Sequence, residues 1–294
     1  MKIDISTTNI LARMQQQGSA NQLAIFRILL GIQILYASSS MLLDLLLVVK
    51  GTSIPTIFPD FFNAFVASID VPYLQIVTIA LSVFLIFGLF TRYILPLLFV
   101  SFLLLFSFWY SRFDAPVQWL YIWFPLLILC FSRSEDCYSL DNLIGLSRKS
   151  LPSKNAYRWP IEVVSGWFAY IYFAAGLAKI LPIVKGINWL DGGTSQQIIY
   201  DRFLDSVLYF IFRQPFFDYA TNSWIFASLS IGSLIIELLC VLIFFTNRFN
   251  YLIIFLVMSM HFFLFLTGVP AFMQTALILS ICLLPPQLFT RTKT

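Results

Sequence analysis

Lys179 and His261 are the residues of this sequence best suited to proton chemistry. His261 is the only histidine in the chain, and imidazole gives and takes a proton near neutral pH. Lys179 closes the stretch Tyr172-Phe-Ala-Ala-Gly176-Leu-Ala-Lys179. On a helix, spacings of seven, four and three put Tyr172, Ala175, Gly176 and Lys179 along one face. The small residues let another helix or a flat ligand come close, and Pro182 loosens the turn just beyond the lysine. Desolvation penalises a charged amine, so a lysine held in such a place can stay neutral and serve as a proton acceptor. The plainer reading is a lysine at a helix end, stretching its amine to the water interface.

The elements that must position these groups are membrane helices. Of 294 residues, 60% are hydrophobic, 18% aromatic and 11% charged, too few polar groups to cover a soluble surface. The apolar residues fall in runs long enough to cross about 30 Å of hydrocarbon as helices. Inside lipid the backbone must satisfy its own hydrogen bonds, leaving helices or a closed barrel. Runs such as Tyr93–Tyr110 are apolar all round and lack a barrel strand's alternation. The fold class expected is therefore an all-α integral membrane bundle, a single transmembrane domain over 1–294. Eight helices are read at 24–49, 72–90, 93–110, 116–132, 159–184, 223–246, 250–267 and 268–288, with tight joints at Thr91-Arg92 and Asn247-Arg248-Phe249. The first 22 residues, mostly polar, do not read as a signal peptide.

Basic residues orient the bundle. With the N-terminus inside, Lys2, Arg13, Arg92, Arg133, Arg148, Lys149, Lys154, Arg158, Arg248, Arg291 and Lys293 are cytoplasmic, against Lys50, Arg112, Lys185, Arg202 and Arg213 outside. The cell membrane is the expected location, with both termini and the 133–158 loop cytoplasmic. The 50–71 and 185–222 loops are external, and their aromatics (Phe58, Phe61, Phe62, Trp189, Tyr209, Phe216, Phe217) suggest half-buried segments on the outer membrane surface or over a cavity. Lys179 then lies ~7–8 Å, and His261 ~9 Å, below the outer ends of two outward-running helices.

A charge inside hydrocarbon costs about 2.5–3.5 kcal/mol on insertion scales, so the remaining ionisable residues need reasons. Asp44 and Glu162 are near helix ends, where they can reach the interface. Arg27 can snorkel or pair with Glu237, and a structural Arg27–Glu237 ion pair in the inner half is expected. The four cysteines (Cys130, Cys137, Cys240, Cys282) show no C-x-x-C and read as packing residues. One histidine and scattered carboxylates form no metal-ligand cluster, so no metal is expected. The net charge of +4 includes no basic stretch suited to nucleic acid.

At Tyr172–Lys179, followed by Asn188-Trp189-Leu190-Asp191-Gly192, the chain resembles the vitamin K-dependent gamma-carboxylase-like proteins. These are also called the horizontally transferred transmembrane domain family, and the residues look like their Y-F-x-A-G-x-x-K … W-x-x-G pattern. The resemblance extends over most of the chain through Arg27-Ile-Leu-Leu-Gly31, Glu237 and Ser259-Met-His261. It implies an active centre facing the outer compartment, with Lys179 the base that deprotonates a reduced quinone and His261 beside it. In such enzymes oxygen converts the quinol to an epoxide, and the strong base released permits carboxylation of peptide glutamates. Tyr172, Gly176 and Trp189 would line the cavity for this vitamin K-like cofactor. A second active-site histidine of the carboxylases falls near Gln118, and a glutamine cannot supply its chemistry. The carboxylases also carry a large external domain, and no such domain is expected here.

Chains of this length also resemble the sporulation-delaying protein B group, which help mature secreted peptide toxins with a partner protein. Two functions therefore stand at this point. One is an enzyme acting at its outer face on a lipid-soluble quinone or a secreted peptide. The other is a non-catalytic membrane maturation factor with a secreted peptide and a small protein as partners. Transport is disfavoured, because the sequence has neither an inverted repeat nor an acidic or histidine relay.

Overall fold

Where side chains are mostly apolar, the few polar groups and glycines at the joints decide how helices end and meet. The computed structural model describes residues 9–47, 60–61, 64, 70–110, 120–147, 151–181, 189–214, 223–268 and 273–289. Every regular element among them is helical. α1 spans Ile10–Met14, α2 Ala20–Leu47, α3 Val71–Phe87, α4 Thr91–Tyr110 and α5 Leu120–Cys130. A 3-10 turn at Ser134–Asp136 and the short α6 (Leu140–Leu143) precede α7, Arg158–Ile180. α8 (Gly193–Asp201) and α9 (Val207–Phe212) follow, then α10 (Ser223–Leu239), α11 (Leu242–Phe245), α12 (Asn250–Leu266) and α13 (Met273–Leu283).

Three stretches are long and apolar enough to cross a membrane: Ala20–Ser39, Arg158–Ile180 and Trp224–Phe245. Five shorter apolar helices, Val71–Phe87, Thr91–Phe106, Tyr121–Cys130, Asn250–Leu266 and Met273–Leu283, stand at the remaining positions read from the sequence. The helix expected over 223–246 is interrupted. The Cys240 and Val241 N–H groups reach back only three residues, to the Glu237 and Leu238 carbonyls at 3.3 and 3.2 Å, a 3-10 tightening that separates α10 from α11.

The chain divides into two compact units, and the boundary falls within α7. One comprises Gln15–Val164 and Pro286–Thr294. In it α2 packs on α3 and α5, α3 on α4, and α4 on α5. The α3–α4 joint lies three residues before the expected Thr91-Arg92. Gly88 adopts φ 66° and ends α3 in the left-handed region, with its N–H on Leu85 and that of Leu89 on Phe84. Asp141 then caps α4, its two carboxylate oxygens each accepting at 2.7 Å from the Phe90 and Thr91 N–H groups.

The other unit comprises Met1–Met14 and Ser165–Pro285. Here α10 packs on α8 and α12, and α12 on α13. Asn250 donates to the Leu283 carbonyl at 2.9 Å, and the Ser195 and Ser230 hydroxyls hydrogen-bond at 2.5 Å. Gly192, at φ 83°, lies against the Phe226–Ala227 backbone, where a Cβ would overlap main-chain atoms. Arg13, buried, donates to the Ile243 carbonyl of α11 at 2.7 Å, satisfying an acceptor near a helix end.

Candidate functional site

The site is built along one face of α7 within the second unit. Gly176 lies against α10. A Cβ there would meet Leu238 Cδ2 at 3.1 Å and Glu237 Cβ at 3.2 Å. Of the two visitors that the small residues admit, the one occupying this face is a helix. Its approach carries Glu237 to the next turn of α7, where Lys179 Nζ donates to Oε1 at 2.5 Å. The two side chains are only 14% and 9% exposed. The Lys179 amine also lies 4.8 Å from the Trp189 ring centroid, over its face, a cation–π contact. Nζ is thus held between a carboxylate and an indole. The second carboxylate oxygen, Glu237 Oε2, is buried with no hydrogen-bond partner among the described residues.

Two turns earlier on the same face, Tyr172 is 3% exposed, as is His261 of α12. The Tyr172 hydroxyl and His261 Nε2 share a 2.6 Å hydrogen bond whose direction depends on the imidazole tautomer. The rings meet edge to face, centroids 5.7 Å apart. Seven residues of helix separate Tyr172 from Lys179, about 10.5 Å along the axis. The α7 face therefore carries two polar couples in an apolar setting, phenol–imidazole and ammonium–carboxylate.

No family model, curated protein or solved structure matches this chain.

Several expectations change with these contacts. The structural ion pair expected between Arg27 and Glu237 is replaced by other partners. Glu237 takes Lys179, while Arg27, fully buried, donates to the Ser134 and Tyr138 carbonyls at 2.6 and 2.5 Å. The physical reason is the geometry of guanidinium, whose several N–H donors suit the carbonyls freed where the chain turns at Tyr138, φ 45°. Arg27 passes over Gly88, where a Cβ would lie 2.9 Å from both terminal nitrogens. His261 meets α7 through Tyr172, with Lys179 one residue before the last residue of α7 and His261 five before that of α12.

Gln118 lies outside the described residues, as do Phe58, Phe62, Phe216 and Phe217; nothing is described of the Asp44 side chain. The described part of the 185–222 connection forms the short helices α8 and α9. Ile199 is buried there, while Tyr200, Leu204, Phe210, Ile211 and Phe212 are exposed. Glu162 pairs with Arg158 on the first turns of α7. The four cysteines are free thiols, and no group of metal-ligating side chains occurs among the described residues.

The residue that sequence reasoning misassigned was Glu237. Its charge was noticed but not its partner, and the usable signal was Gly176. A glycine one turn before a buried lysine marks where a neighbouring helix can bring a counter-charge within reach.

Proposed function

We propose that this chain is a multi-pass membrane protein of about eight spans, with both termini cytoplasmic, and that the polar face of α7 is an acid–base centre. Its ligand is a lipid-soluble, quinone-type molecule reached from the outer face. The observation that carries this reading is the pairing of Lys179 with Glu237 and of Tyr172 with His261 along one face of an apolar helix. Charged groups inside hydrocarbon are costly and are by default functional.

The residues fit a hydroxylated ring at its polar end. Oε2 of Glu237 offers an acceptor that no described residue uses, and Trp189 offers an aromatic wall beside Lys179. As the gamma-carboxylase resemblance implies, a bound quinol with oxygen would supply an epoxide, water and a strong base. The chain's own part is to hold the ring hydroxyl and accept its proton at the Lys179–Glu237 couple. The Tyr172–His261 couple supplies a second group that both gives and takes a proton. Purified full-length protein should therefore consume oxygen when given menadiol, above the rate of menadiol alone. Protein that adds nothing to that rate would overturn the reading.

One observation favours the second reading, a non-catalytic maturation factor for a secreted peptide. Lys179, Tyr172 and His261 already have partners within the protein, as anchoring contacts would. That reading expects peptide capture at the outer face without oxygen uptake, and it expects a neutral hydrogen-bonded pair to replace Lys179 and Glu237 without loss.

A further inference from the structure

We infer that Glu237, through Oε2, is the group that receives a hydroxyl proton from the bound ring, with Lys179 acting as its charge partner rather than as the base. This deepens the quinone reading and rests on it, but reverses the role that the resemblance assigns to the lysine.

A carboxylate oxygen at 2.5 Å from Nζ and an indole face at 4.8 Å are partners of an ammonium. Neither contact uses the nitrogen lone pair that a base needs. The carboxylate is in the opposite position. Oε1 is engaged by Lys179, yet Oε2 is enclosed with Glu237 only 7% exposed overall and no partner among the described residues. A buried carboxylate oxygen without a donor is costly, and it is repaid when a ligand brings one. The pair thus presents an N–H donor and a carboxylate acceptor bridged by one hydrogen bond. A hydroxyl answers both, donating to Oε2 and accepting from Nζ. A carbonyl answers only the ammonium.

The same residue sits where the helix is least regular. The Glu237 carbonyl accepts the three-residue bond from Cys240 at the α10–α11 break, and Gly176 lets its Cβ lie against α7. Backbone on both sides therefore fixes where the carboxylate stands. Proton transfer here makes and breaks simple bonds. The ring O–H breaks, an Oε2–H bond forms, and the electron pair stays on the ring oxygen facing the ammonium. No redox partner is needed for that step.

The test compares binding of menadiol, kept reduced under argon, with menadione, which lacks hydroxyl donors, on detergent-purified full-length protein. Tryptophan quenching reads both. Wild type should bind menadiol at least about tenfold more tightly, as expected for a hydrogen bond to a charged acceptor. In Glu237→Gln the amide oxygen keeps the bond from Lys179 and an N–H₂ faces the ligand, so the preference should vanish or invert in favour of menadione. Retained menadione binding shows that the variant is folded. If Glu237→Gln does not accumulate, the Lys179→Gln/Glu237→Gln double variant, free of buried charge, replaces it with the same expectation. Wild type binding the two equally, or a variant keeping the tenfold preference, overturns the role of Glu237 while leaving a quinone ligand standing. Wild type binding neither overturns the quinone reading, and the inference with it.

Discussion

Replacing Lys179 by alanine should cost far more than a lysine at a membrane interface would. Its amine is paired with Glu237 at 2.5 Å, with the two side chains 14% and 9% exposed. Truncating one partner leaves the other charge buried and unpaired, a loss of about 3–5 kcal/mol. The contact with Trp189 adds about 0.5–2 kcal/mol, some of which the same truncation removes. At about 1.4 kcal/mol per tenfold, the folded-to-unfolded ratio drops by about two to three and a half orders of magnitude. Lys179→Met/Glu237→Leu, which removes both charges at similar volume, should recover most of the loss. Unfolding of the purified protein in mixed micelles of increasing SDS fraction, followed by far-UV circular dichroism, gives the three values. A loss below about 1 kcal/mol in Lys179→Ala would mean that water reaches the pair, and the burial argument would fail.

Other predictions follow from single contacts. Tyr172→Phe removes one end of a 2.6 Å buried hydrogen bond to His261 and should destabilise by about 1–3 kcal/mol in the same assay; no change would mean that water fills in. Asp141→Ala uncaps the Phe90 and Thr91 N–H groups and should cost about 1–2 kcal/mol, seen as faster amide exchange at the start of α4. Outside the spans, burial and the hydrogen bond to Asp136 at 2.6 Å push the Tyr157 phenol above its ordinary value. Because the folded state disfavours the phenolate, this contribution is intact below about pH 10 and is lost as pH rises beyond it. Tyr157→Phe should flatten the alkaline decline measured between about pH 9 and 11. For topology, a reporter fused after Asp141 should read cytoplasmic and one after Gln197 external, by the basic-residue rule; swapped signals would reverse the proposed access route.

The helices were legible because apolar run length is a direct reading of what hydrocarbon demands. Their ends were less so. The α3–α4 joint falls at Gly88 because that residue takes a positive φ and because Asp141, more than 50 positions away, caps the next helix. No window around Thr91 contains that carboxylate. The break after Leu239 was hidden in an apolar run with no proline or glycine to announce it. At the site, Tyr172, Gly176 and Lys179 were grouped correctly from helical spacing alone, since one helix supplies all three. Pairings between helices were not legible, because depth counted from helix ends fails when the ends are uncertain by a turn. Thus the contact of His261 with Tyr172 was not foreseen, and Glu237 meets Lys179 instead of Arg27.

On the proposed function the charges of Lys179 and Glu237 do chemistry and are more than a helix anchor. The direct measurement is menadiol-dependent oxygen uptake by Lys179→Gln/Glu237→Gln, compared with wild type at equal amounts of folded protein. Two amides keep a hydrogen bond between α7 and α10 while removing both the ammonium and the carboxylate. Activity near background, with melting behaviour close to wild type, is the predicted result. Uptake that stays within severalfold of wild type would contradict the claim and leave the pair as a structural contact.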